Sequence, residues 1–224
     1  MKNHLRPVLI GGFVLTFISG IVNAVGFLGF WHQGLTHLTG LTTHISIKLS
    51  ENQFSDVIYL VQLILSFVLG SIISGAVIQK SALKLGRNYG IVLLLEATLL
   101  YSAIHLLESH SQLGQCFVAG ACGLQNAMAT TFSGSILRTT HLTGIFTDLG
   151  LWIGHYIRKI PVETFALKIY LSLISGFVCG GILGANLYNE FEYVALLVPA
   201  TLLGATGIIY IYIASKNKMD VTPE

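Results

Sequence analysis

Apolar residues run along this chain in long blocks, and the polar residues gather between them. The blocks cover residues 8–31, 57–79, 89–107, 113–133, 165–187 and 193–214. Each has the length an α-helix needs to cross about 30 Å of hydrocarbon, and none alternates with a period of two. Within lipid a segment must satisfy its own backbone hydrogen bonds, which such helices do. The pattern predicts an all-α, polytopic membrane helix bundle with six transmembrane helices.

The charged residues between the blocks give an orientation. Lys2 and Arg6 precede the first block, and Lys80, Lys84 and Arg87 lie between the second and third. Arg158 and Lys159 lie between the fourth and fifth, and Lys216 and Lys218 follow the sixth. The other two junctions carry Glu108, and Glu190 with Glu192. Six crossings place every basic cluster, and both termini, on the cytoplasmic side. The first block also reads as an uncleaved signal sequence, with Val22-Asn23-Ala24 a passable cleavage site. Its counterpart deep inside the chain argues that it is retained.

That counterpart belongs to an internal repeat. Thr-His-Leu-Thr-Gly occurs at 36–40 and again at 140–144. Gly20, Asn23 and Ala24 precede the first copy as Gly123, Asn126 and Ala127 precede the second. Downstream, Phe67, Val68, Gly70 and Ile72 pair with Phe177, Val178, Gly180 and Ile182, and Ala97–Leu100 pairs with Ala200–Leu203. The chain divides into three-helix repeats at 1–108 and 109–215, with a short cytoplasmic tail at 216–224. Three crossings per repeat invert the second half relative to the first, as in many secondary transporters.

The repeated segments are too polar for ordinary lipid-facing spans. The first holds His37, Thr39, Gly40, Thr42, Thr43 and His44, and the second holds Arg138, Thr139, Thr140, His141, Thr143, Gly144, Thr147 and Asp148. One reading makes them two re-entrant half-helices, with a break at Gly144 and Thr143 or Thr147 as the cap. Their free amides and dipole ends would favour a polar or anionic group, and Arg138 would add fixed charge. A second reading makes them interfacial loops whose Thr and His side chains satisfy local backbone. A third has residues 138–157 cross fully, giving seven spans.

Isolated polar residues mark the spans themselves. Glu96 is near the middle of the third, where a carboxylate costs about 2.5 kcal/mol or more. It reads as a proton- or ion-coupling group alongside Asp148, or as a neutral acid bonded to a neighbouring helix. Its repeat counterpart is Pro199, expected to kink the sixth span. Asn23, Gln125, Asn126 and Thr130 serve either as hydrogen-bonding glue between helices or as solute contacts. Ser66, Gly70 and Ser74 in the second span, and Gly176, Gly180 and Gly184 in the fifth, form small-residue stripes. These two spans are expected to pack on each other, or to offer the seam of a homodimer.

Composition narrows the function. The chain of 224 residues is 53% hydrophobic and only 10% charged, against about 25% in soluble domains. Mean hydropathy is +0.74. A formal net charge of +2 is too small for a phosphate-tracking surface, so nucleic acid is not an expected partner. Cys116, Cys122 and Cys179 are isolated, and the histidines, among them His32, His37, His44 and His141, show no metal-ligand spacing. No nucleotide loop or catalytic constellation is present. Neither enzyme activity nor a metal or cofactor is expected, and the lipid bilayer is the expected partner.

The motifs around the second segment resemble those of the YoaK-like family of bacterial membrane proteins, a domain family of unknown function. The resemblance rests on Gly20–Ala24 with Thr36–Gly40, on Gly123–Met128, and on Arg138–Gly150. The family often has Asn after the first pentapeptide, where this chain has Leu41, and Asp where it has Asn23. The resemblance implies a polytopic protein of the bacterial inner membrane, sometimes described as a predicted permease. The expected function is a small-solute secondary transporter for a polar or anionic solute, with its site between the two segments. A non-transporting scaffold or sensor is the alternative.

Overall fold

The computed structural model describes residues 5–29, 34, 37–78, 87–133 and 139–216. Its elements are α1 (Leu5–Leu28), α2 (Leu38–Ser50), α3 (Phe54–Val77), α4 (Arg87–Glu108), α5 (Gln112–Ser133), α6 (Leu142–Ile157), α7 (Thr164–Phe191) and α8 (Leu197–Lys216). A 3-10 turn, Glu192–Leu196, joins α7 to α8. The protein is all-α, and each apolar block of the sequence lies on a helix.

Four helical stretches are long and apolar enough to cross a membrane: Leu9–Leu28, Phe54–Val77, Arg87–Glu108 and the 53-residue stretch Thr164–Lys216 that contains α7 and α8. With 22 residues, α5 is long enough but less apolar. Its polar groups face inward: Gln115 and Gln125 are both buried. By length, α2 and α6 are different, with 13 and 16 residues. At 1.5 Å per residue they reach roughly 20 and 24 Å, short of a full crossing.

The helices associate in pairs through glycine. Phe13, Phe17 and Ile21 of α1 meet Gly176, Gly180 and Gly184 of α7 in ascending order, so the two helices run parallel. Tyr59 with Gln115, Ser66 with Gly120 and Ser71 with Gly123 make the same ascending match between α3 and α5. Gly90 with Gly207, Ala97 with Gly204 and Tyr101 with Thr201 descend, so α4 and α8 are antiparallel. In both parallel pairs a glycine meets a phenylalanine carbonyl: Gly20 that of Phe177, Gly123 that of Phe67. These pairs occupy corresponding positions in the two sequence repeats.

This corrects the expected pairing of the two small-residue stripes. Among the described residues α3 and α7 make no contact. The α3 stripe packs on α5 and the α7 stripe on α1, so the glycine seams are filled within the chain. A small polar link joins the two pairs. Ser19 donates to Gln125 Oε1 (2.8 Å), and Gln125 Nε2 donates to the Leu15 carbonyl (3.1 Å).

Two local expectations also change. Helix α6 runs through Gly144 without a break, begins at Leu142 and has no side-chain cap. Thr147 donates instead to the Thr143 carbonyl one turn back, at 2.9 Å. Pro199 lies in the first turn of α8, where its missing N–H removes no helix bond, so it starts that helix rather than kinking it. The interruption falls before it, at Glu192, whose φ of 50° ends α7.

A side chain at Gly123 or Gly180 would enter the carbonyl it packs on, Phe67 or Phe17. Gly123→Leu and Gly180→Leu are each expected to cost about 1–3 kcal/mol or more, lowering the melting temperature of the detergent-purified protein by several degrees. Gly75 is exposed, and a Cβ there meets nothing within 4 Å, so Gly75→Leu leaves the melting temperature nearly unchanged. Equal losses at 75 and 123 would show that close backbone approach does not hold the pairs.

Candidate functional site

The two short helices begin in the same way, against an asparagine of the span that precedes them. Asn23 stands a little over a turn before the end of α1, and its Oδ1 accepts from His37 Nδ1 (3.2 Å) at the start of α2. Asn126 stands about two turns before the end of α5. Its Oδ1 accepts from Thr139 (3.2 Å) and Thr140 (3.1 Å), and its Nδ2 donates to the Cys122 carbonyl (3.0 Å). Each short helix thus begins beside the preceding span, more than a turn before that span's end. From there α2 packs on α3, and α6 packs on α7. The anchors differ in kind: a histidine holds the first start and two threonines hold the second.

The other expected site residues scatter. Gln125 is buried at the crossing of α1 and α5, and Thr130 is half-buried with its hydroxyl on the Asn126 carbonyl (2.7 Å). Thr39, Gly40, His141, Thr143 and Thr147 are exposed, and the His141 ring lies over Gly144. Asp148 lines a shallow surface hollow with Trp152, His155 and Glu163, away from the α1–α5 crossing. Arg138 lies outside the described residues, as do His32 and Thr36. Burial pushes the His37 imidazole below its ordinary value of 6.5.

Among the described residues, two further cavities lie elsewhere in the bundle. A cavity of about 110 Å³ opens at the end where α1 and α4 begin and α5 and α8 finish. Gly11, Gly12, Leu15, Tyr89, Leu93, Met128, Ala129 and Tyr210 line it, and from the second segment so does Thr139. At the opposite end a second cavity holds only about 10 Å³, no more than one water's space. Its walls include Gln115, Val118, Tyr193, Leu196, Val25, Gly26 and Leu107. Laid over each other in the repeat register, these positions match Gly12, Leu15, Tyr89, Leu93, Met128, Ala129 and Tyr210 to within one residue.

The two cavities thus stand at corresponding places in the sequence repeat, one of about 110 Å³ and one of about 10 Å³. The difference has a local cause. Where the open cavity has Gly12, the closed one has Gln115, whose Oε1 accepts from the Tyr59 hydroxyl. Val25 stands opposite Met128 in the match.

Glu96 lies one turn along α4 from Leu93, on the open cavity's wall, and is only 2% exposed. Its Oε2 has no hydrogen-bond partner, whereas most buried polar atoms have one. The open cavity, Tyr89, Gly11 and Gly12 were not legible as a site, because apolar residues in a long block read the same facing lipid or facing a cavity. Thr139 carried a signal in its position beside the second pentapeptide.

Asn126→Ala leaves two hydroxyls without their acceptor. It is expected to cost about 1–3 kcal/mol and to speed amide exchange over residues 139–145 while sparing 38–42. Asn23→Ala does the reverse. Uniform acceleration across both segments would remove the anchoring role. The His37 shift carries a pH sign as well. Its folded value lies below the unfolded 6.5, so its contribution to stability is present above about 6.5 and is lost as pH falls through the folded value. Melting at pH 5.5 against 7.5 is expected to show this loss, and His37→Gln to remove that part of it.

No match was found among curated proteins or among solved structures. A family model described as "Protein of unknown function (DUF1275)" matches residues 11–209, nearly the whole chain, in agreement with the resemblance carried by the repeated segments. The apolar helices mark a membrane protein, and the chain belongs to the DUF1275 family.

Proposed function

We propose that the protein is a small-solute secondary transporter working by alternating access, built from two inverted three-span repeats in the bacterial inner membrane. The observation that carries this reading is the pair of matched cavities, one of about 110 Å³ and one of about 10 Å³. In inverted-repeat carriers the two halves exchange conformations, so that equivalent cavities open in turn on the two sides. A bundle with one of two matched cavities open is what a single step of that exchange looks like.

The helix directions support six crossings. With α2 and α6 re-entrant, α1, α4 and α7 run outward and α3, α5 and α8 inward. That agrees with parallel α1 and α7, parallel α3 and α5, and antiparallel α4 and α8. A crossing by α6 alone would turn α7 against α1. In this scheme the larger cavity faces the cytoplasm, with both termini there, a reading supported by the basic residues near the starts of α1 and α4. Glu96, buried one turn from the cavity wall, is the proton-coupling group of this scheme, and Tyr59 with Gln115 forms the outer seal.

Accessibility tests this without knowledge of the solute. In a background lacking native cysteines, Gly11→Cys reports on the open cavity and Gly26→Cys on the closed one. A membrane-impermeant maleimide is expected to label Gly11→Cys from the cytoplasmic face of vesicles and to leave Gly26→Cys unlabelled from the outside. Adding Gln115→Ala loosens the outer seal. Labelling of Gly26→Cys then rises while that of Gly11→Cys falls. A rise at one site with no fall at the other would sink alternating access.

A further inference from the structure

The open cavity has a chemistry of its own. Its described lining carries no Asp, Glu, Lys, Arg or His. Its threonine hydroxyls are already engaged: Thr139 donates to Asn126 Oδ1 (3.2 Å) and Thr206 to the Leu202 carbonyl (2.6 Å). The Tyr89 hydroxyl is buried and makes no hydrogen bond among the described residues. A charged body placed there would lose its hydration and meet no opposite charge on the described lining, at a cost of several kcal/mol.

The walls favour a ring. Tyr89 and Phe132 meet edge to face, with centroids 6.0 Å apart and planes at 83°. Tyr210 and the Met128 thioether complete an aromatic and sulfur-bearing surround. Edge-to-face and sulfur–aromatic contacts reward an aromatic guest beyond simple burial. Size limits that guest. An apolar cavity of about 150 Å³ takes up benzene, so about 110 Å³ sets a single ring as the upper limit. Gly11 borders this space, and a Cβ there meets nothing within 4 Å, which leaves the entry clear.

From this we infer that the open cavity binds an uncharged single aromatic ring, as a small molecule or as the ring end of a monocyclic solute. The inference names a substrate class for the proposed carrier and rests on that reading for its role, though not for the binding itself.

Fluorobenzene, followed by ¹⁹F NMR with the detergent-purified full chain, is the probe. Saturable binding is expected in wild type and in Gly75→Leu, whose new side chain faces away from the bundle. Gly11→Leu fills the cavity and is expected to weaken binding at least tenfold while melting like wild type. Fluorocyclohexane, of similar size without a π-face, is expected to bind about threefold to tenfold more weakly. A linear response identical in all three proteins is partition into detergent and overturns the site. Equal affinity for the two probes overturns the aromatic class. If fluorobenzene binds and the maleimide labelling is not reciprocal, the carrier reading falls and the site stands. If the labelling is reciprocal and no ring binds, the site falls and the carrier reading stands.

Discussion

Contact between helix backbones at glycine decides how this chain packs. In lipid the side chains of neighbouring helices gain little by leaving a surrounding as apolar as themselves. Close van der Waals approach and a few polar links supply the attraction instead. Gly20 and Gly180 let α1 and α7 touch main chain to main chain, and Gly70 and Gly123 do so for α3 and α5. Everything else in the bundle is placed by these two seams and by the α4–α8 pair that crosses beside them. The buried Ser19–Gln125 link then fixes one pair against the other.

On that frame the corresponding positions of the two sequence repeats differ in detail. His37 holds one short helix, and Thr139 with Thr140 holds the other. Gln115 plugs one cavity where Gly12 leaves its match empty. A buried carboxyl, Glu96, stands where the other half has Pro199. A perfectly repeated chain would give its two faces equal standing.

Much of the fold was legible in residue order. The six apolar blocks fall on α1, α3, α4, α5, α7 and α8, and the polar repeats fall on the two helices too short to cross. The matched asparagines were readable as a pair, and the structure gives both the same task. Pairing was not readable. A stripe such as Gly176, Gly180 and Gly184 says that some helix comes close, and says nothing of which one. The expected union of the second and fifth spans failed on that point. Helix starts failed for a related reason: Thr143 and Thr147 look like caps in one dimension, but neither caps α6, and the Thr147 hydroxyl bonds back along a helix already under way. The cavity escaped because its lining is built from the same residue types that face lipid.

The crossed partnership of α1 with α7 has a consequence for how the chain is made. The two helices are separated by most of the sequence, and α3 likewise waits for α5. At about 5–20 residues per second, α1 leaves the ribosome on the order of ten seconds or more before α7 follows. Through that interval Gly20 and its neighbours present an unfilled seam to the bilayer. Neither half can complete its own packing, because each seam is shared between them. The bundle therefore closes only once α7 has been made, and a ribosome stalled between α5 and α7 leaves α1 unpaired and exposed to the membrane's quality-control proteases.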